Sequence, residues 1–144
     1  MWEKGERTMD DDLIKAYRET DYVVDDDPPL ILKIDERNDG VRILFASFNV
    51  ESAAFITAWN PHSQPLDLNE NIDRQLQLLA LIEQMRLNYF PGRGEHPDGN
   101  WSEDSYLVLG ITQDKALQLA VHFDQDAFVW IPNTGTPELI ETSA

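Results

Sequence analysis

Cysteine is absent from the 144 residues. Its absence removes disulfides, thiolate zinc sites, iron–sulfur clusters and cysteine nucleophiles together, and leaves only oxygen and imidazole ligands for a metal. That argues against redox chemistry by the chain itself, and no cofactor is expected. Long apolar runs are missing too. The stretch Met1-Trp2-Glu3-Lys4-Gly5-Glu6-Arg7 has no apolar signal core, and no later segment approaches the roughly 18 uninterrupted apolar residues of a membrane span. The expectation is a soluble cytoplasmic protein with no membrane partner. Positive charge is scarce: 11 basic side chains stand against 27 acidic ones, for a formal charge of -16. Such a field repels nucleic-acid phosphates, so direct nucleic-acid binding is disfavoured.

What is present fits one ordinary domain, because a chain of this length buries about two-thirds of the surface its unfolded form exposes. Residues 1–9 are expected as a flexible tail and 10–144 as a single α+β domain. Behind Asp10-Asp11-Asp12, whose charge suits a helix start, Leu13, Ile14 and Tyr17 predict a short helix to about Thr20. Tyr22–Val24 and Leu30–Ile34 read as short strands around an Asp-Pro turn. Val41–Phe48 fits both periods, and a short helix is favoured. Ala54–Trp59 reads as a strand, and Asp67 to about Leu87 as a helix burying Ile72, Leu76, Leu79, Ile82 and Met85. Asn88–Phe90 reads as a short strand and Pro91–Glu103 as a Gly/Pro-rich connection. Ser105–Ile111 reads as a strand, Thr112–Phe123 as a helix with Ala116, Ala120 and Phe123 inward, and Ala127–Ile131 as a strand. Leu139-Ile140 could add an edge strand. The order strand, helix, strand, strand, helix, strand predicts a ferredoxin-like βαββαβ two-layer sandwich, with the N-terminal helix and short strands added.

In that topology three connections share one end of the sheet. They bring Asn60, His62, Ser63, Glu70 and Asn71 to one rim with Arg93, His96, Asp98, Trp101 and Glu103, and with Gln125. Polar residues on loops held by rigid elements are where a site is usually built. Trp59, Asn60, His62, Ser63, Asn71, Arg93, Trp101, Glu103 and Gln125 are therefore the rim candidates for ligand binding.

The run Ile56-Thr57-Ala58-Trp59-Asn60-Pro61-His62-Ser63 and the pair Glu70-Asn71 are followed by Phe90-Pro91-Gly92-Arg93-Gly94. Then come Gly99-x-Trp101-x-Glu103-x-Ser105 and Phe123-x-Gln125-x-Ala127. Together they resemble a small bacterial family of domains of unknown function, over about residues 10–131. The family commonly carries a glycine between the Phe and Gln of the last element, where this chain has Asp124. The resemblance implies a shared fold and a shared rim site, and it brings no activity with it.

Each candidate has a plain structural reading beside the functional one. Asn60-Pro61 also serves simply to end a strand. Glu70 stands three residues after Asp67, as in a capping box, which leaves Asn71, on the exposed first turn, as the better functional candidate of that pair. Pro91-Gly92-Arg93-Gly94 lacks dinucleotide spacing and opens no helix, so a turn is expected. Trp59 and Trp101 are either core or an aromatic wall for a planar ligand. His62, His96 and His122 fall at one end, but His122 lies off the apolar face of its helix, and no metal site is expected. Asp98, Asn100, Ser102 and Asp104 alternate as in a calcium loop, without the glycine such a loop needs.

The leading expectation is a small binding or regulatory domain whose rim pocket takes a polar small molecule or a peptide segment of a protein partner. Asn60 and Gln125 would give neutral hydrogen bonds, Ser63 and helix N–H groups would receive an anionic group, and Trp101 would stack. One alternative is a hydrolase or transferase using Glu70, Glu103 and a histidine on a small phosphorylated or acylated compound. Another is an acidic interaction module that mimics nucleic acid, although Lys15, Arg18, Lys33 and Arg37 interrupt its acids.

Overall fold

Asp, Asn and Thr caps start the helices of this computed structural model, which describes residues 9–143. The expected tail therefore lies, but for Met9, outside the described residues. Asp10 accepts the Leu13 N–H at 2.8 Å and opens α1 (Asp11–Glu19). Strands β1 (Asp21–Val24) and β2 (Leu30–Leu32) form the hairpin expected around the Asp-Pro turn. Asn38 caps α2 (Asp39–Phe48) through the Val41 N–H. In this segment the helical period prevails: Val41, Leu44 and Phe45 are buried, whereas Ile43, which a strand would bury with them, is exposed.

Next come β3 (Ala53–Ile56), a 3-10 turn (Pro61–Ser63), α3 (Leu68–Gln84), β4 (Tyr89–Glu95) and β5 (Ser102–Leu109). The chain ends with α4 (Gln113–His122), β6 (Ala127–Ile131) and β7 (Glu138–Glu141). The seven strands form one antiparallel sheet in the order β2-β1-β4-β5-β3-β6-β7. The protein is thus a mixed α+β structure. Leu139 and Ile140 do extend the sheet, opposite Val129 and Phe128.

Period-two alternation divides the sheet residues between two cores. Ala54, Ile56 and Val108 pack beneath Leu78 and Ile82 of α3 and Ala116, Leu119 and Ala120 of α4. The other face, with Phe55, Leu107, Leu109, Val129 and Ile131, packs with Val41, Leu44 and Phe45 of α2, with Tyr17 of α1 at its margin. Helices therefore cover both faces. Among the described residues, no helix is long and apolar enough to cross a membrane.

Two expectations change here. The inner row of α3 is Asn71, Gln75, Leu78 and Ile82, while Ile72 and Leu76 are exposed. The cause is the chain leaving β3: its backbone N–H groups at Ala58 and Asn60 have no strand partner, and the side chains of Gln75 and Asn71 accept them at 3.0 and 2.8 Å. A buried unpaired N–H is costly enough to turn a polar face inward. The connection expected over Pro91–Glu103 shrinks to residues 96–101, because Pro91-Gly92-Arg93-Gly94 lies inside β4. Gly92 is there for close approach, not for a turn. A Cβ on it would stand 2.4 Å from the Val23 carbonyl oxygen and 3.1 Å from the Phe55 ring.

Candidate functional site

The site grows from the point where β3 ends. Asn60 adopts a left-handed conformation, φ 45°, which Asn tolerates better than most residues. Both ends of its side-chain amide are engaged. Oδ1 accepts the Leu66 N–H at 3.0 Å and the Asn71 amide at 2.8 Å, and Nδ2 donates to Glu103 Oε2 at 2.9 Å. The pair Asn60–Asn71 is reciprocal, since Asn71 Oδ1 accepts the Asn60 backbone N–H. This clamp fixes one face of the Glu103 carboxyl. Burial pushes the Glu103 pKa up, and the hydrogen bond from Asn60 partly opposes that shift.

A second set of contacts ties the 3-10 turn to the start of β6. Ser63 Oγ donates to Asp126 Oδ2 at 3.0 Å, and His62 Nδ1 lies 3.2 Å from Asp126 Oδ1. The Asp126 side chain is only 4% exposed. The His62 backbone N–H donates to the Asp124 carbonyl at 2.6 Å. His62, Ser63 and Asp124 all have positive φ, a conformation costing roughly 1–2 kcal/mol per ordinary residue, so tertiary contacts must hold the turn. Asp124, at φ 57°, takes the left-handed backbone conformation that glycine favours.

Above these groups α1 crosses the sheet and leaves a pocket of about 200 Å³. Leu13, Ala16, Tyr17 and Thr20 form its roof. Gly94, Ser105, Thr57 and Ala127 line its floor, and their small side chains make the hollow. Tyr22, Phe55, Phe128 and Val129 add apolar wall, and Ser63, Trp101 and Glu103 complete the lining. The Tyr17 phenol is pushed upward by burial first, then by the charges of Glu103 and Asp126, with a hydrogen bond to Ser63 opposing. Both carboxylates therefore act at the same end of the pocket.

The family model described as a protein of unknown function (DUF3293) matches residues 56–128, which is half of the chain. The chain belongs to this family. No curated protein and no solved structure matches it. The DUF3293 segment holds both sets of contacts around Glu103 and Asp126, whereas Tyr17 and the rest of α1 lie outside it.

Of the rim candidates, Ser63, Trp101 and Glu103 line the pocket. Asn60 and Asn71 stand behind Glu103, and Asn71 is buried where the first turn of its helix was expected to be exposed. Gln125 is buried, with its amide donating to the Trp59 and Phe123 carbonyls at 3.0 and 3.2 Å, so Trp59 contributes its backbone there. His62 faces Asp126. Arg93, on β4, pairs with Glu95 of the same strand and with Asp25 just after β1, and is not part of the lining. Glu70 is exposed; a hydrogen bond to the Asp67 side chain raises its pKa, while Asp67 caps α3 through the Glu70 N–H. The three histidines have separate surroundings: His62 has Asp126, His96 has Asp98, and His122 packs edge-on to Phe123. Among the described residues, no group of three or more His, Asp or Glu is placed to hold a metal ion.

Sequence reasoning passed over Tyr17, Thr57 and Asp126 as site residues, and gave Ser105 as a motif residue without placing it in the pocket. Alternation along β5, which puts Glu103 and Ser105 on the face of Leu107, carries the signal for one of them. Asp126, flanked by Gln125 and Ala127 of the last motif, carries the signal for another.

Glu103 gives a pH prediction. Its folded pKa is raised above the ordinary 4.5, so folding favours the protonated acid and stability falls as pH rises from the unfolded pKa through the folded one. Glu103→Gln is therefore expected to melt higher than the native chain at neutral pH, with the difference vanishing below about pH 4.5. Melting curves across that range check it, and a constant or inverted difference would contradict it.

Proposed function

We propose that this DUF3293 chain is a small, single-domain binding or regulatory protein with a ferredoxin-like core, and that the pocket between α1 and the sheet holds a small polar molecule. The strand order β4-β5-β3-β6, with α3 and α4 on one face, supports the ferredoxin-like reading. The observation that carries the functional reading is Glu103. A carboxyl at the floor of a hollow costs stability that an apolar side chain would not, and yet two interlocked asparagines are used to position it. Such an arrangement is understandable where the carboxyl has a ligand to meet.

Gly94 provides the test. A Cβ there would lie 3.5 Å from Thr20 Cγ2 and 3.9 Å from the Tyr22 ring, ordinary contact distances, so Gly94→Leu fills the pocket rather than splitting the sheet. Ligands found by a thermal-shift fragment screen on the native chain are expected to lose binding to Gly94→Leu by at least about tenfold. Gly94→Ala should keep them and report on the backbone alone. Equal affinity for all three proteins would place the ligands elsewhere.

A further inference from the structure

We propose that the pocket selects an organic cation, a primary ammonium or guanidinium group carried on an apolar or aromatic body. This rests on the binding reading above and deepens it by naming the ligand's charge.

The hydroxyl groups of the lining decide the sign. Thr20 Oγ1 donates to the Ala16 carbonyl at 2.7 Å, and Thr57 Oγ1 donates to the Asp104 carbonyl at 2.6 Å. Ser63 Oγ donates to Asp126, Ser105 Oγ to the Glu103 carbonyl at 3.1 Å, and Tyr22 Oη to the Tyr17 carbonyl at 2.7 Å. A carbonyl or carboxylate cannot donate in return, so each of these hydroxyl protons is committed away from the cavity. What the hydroxyls offer a ligand is lone pairs, chiefly those of Thr20, Ser105 and Tyr22, since Thr57 Oγ1 already accepts the Trp59 N–H and Ser63 shares a hydrogen bond with the Tyr17 phenol. The donors of the lining are the Tyr17 phenol and the Trp101 indole N–H, and neither carries charge to meet an anion, whereas a cation with several N–H groups meets the hydroxyl oxygens and the Glu103 carboxyl.

Charge points the same way. No Lys, Arg or His is part of the lining, and Glu103 is. Among the described residues, no basic side chain pairs with Glu103. Arg93 has Glu95 and Asp25 as partners, Lys33 has Asp21, and Arg74 reaches the carbonyls of Ala58 and Phe123. A bound cation would supply a counter-charge to the desolvated Glu103 carboxyl, as a short charge-assisted hydrogen bond. The walls suit the rest of such a molecule. The rings of Tyr22 and Phe55 meet edge to face at 5.4 Å, and Trp101 stands partly exposed at the mouth, aromatic faces that attract a cation and pack an apolar body. The cavity volume of about 200 Å³ is that of roughly seven water molecules, so the occupant is small.

Three probes with one body and different heads separate the possibilities: 2-phenylethylamine, 2-phenylethanol and 3-phenylpropanoate, titrated by calorimetry at neutral pH. The amine is expected to bind at least about tenfold tighter than the alcohol, with no detectable binding of the carboxylate. Glu103→Gln is expected to abolish that preference while leaving alcohol binding within about twofold. If the alcohol or carboxylate bound as tightly as the amine, or if Glu103→Gln kept the preference, the charge assignment would be wrong and the binding reading would stand. If none bound at about 10 mM, the assignment would also fall, and the fragment screen on Gly94→Leu would decide the binding reading separately.

Discussion

Replacing Asn60 with alanine is expected to lower the free energy of unfolding by about 3–4 kcal/mol, one of the largest losses available to a half-buried side chain. Three hydrogen bonds disappear, those to Leu66 N–H, to the Asn71 amide and to Glu103. At about 1 kcal/mol each, with a further cost for the groups left unpaired, they account for most of the loss. The remainder is backbone, since alanine at φ 45° is strained where asparagine is tolerated. Asn60→Gly separates the two contributions: it relieves the backbone and still loses every side-chain bond, so it should recover only about 1 kcal/mol. Urea denaturation of the three proteins measures both. The Glu103 pKa should also move further up in Asn60→Ala, because the one hydrogen bond that lowers it is gone. A loss below about 1 kcal/mol would mean that the clamp contributes little to the fold.

Gly92→Ala is expected to cost about 2–3 kcal/mol, at the upper end of what overpacking usually does. The atom in the way is not a side-chain tip but the Val23 carbonyl oxygen, 2.4 Å from the new Cβ, with the Phe55 ring 3.1 Å away on the core side. Relief requires β1 to move away from β4, and β1 pairs with β4 from Asp21 to Val24. The hairpin of β1 and β2 and the roof helix α1, which leads directly into β1, would loosen with it. Gly94→Ala, two residues along the same strand and the same face, meets only ordinary contacts and should stay within about 0.5 kcal/mol of the native chain. Equal melting temperatures for Gly92→Ala and the native protein would contradict the close approach.

The same two glycines show why part of this structure is legible in the sequence and part is not. Ala127–Ile131, Thr112–Phe123 and the Asp-capped start of α1 follow from local rules: period, cap and turn chemistry all agree, and the structure agrees with them. Pro91-Gly92-Arg93-Gly94 obeys the local rules for a turn, and what overrides them is a neighbour of Gly92 far back in the chain, Val23, which needs the space. The inner face of α3 is hidden for the same kind of reason. Its periodicity points to Ile72 and Leu76, but the backbone N–H groups of Ala58 and Asn60 demand acceptors, and only the tertiary arrangement reveals that Asn71 and Gln75 must provide them. Asn60, Ser63, Trp101 and Glu103 were legible as neighbours because the strand and helix order brings their loops together. Asp126 and Tyr17 were not, because one looks like any charged residue at a strand start and the other like a core residue of an amphipathic helix.

Behind these predictions stands one claim, that the hollow under α1 with Glu103 on its floor is where this DUF3293 chain meets its ligand. Mapping amide chemical-shift changes during titration with the tightest ligand from the fragment screen tests it most directly. The largest changes are predicted at Tyr17, Thr57, Ser63, Glu103 and Ser105. Changes confined to the exposed row Leu68, Ile72 and Leu76 on α3, with the pocket residues unmoved, would contradict it.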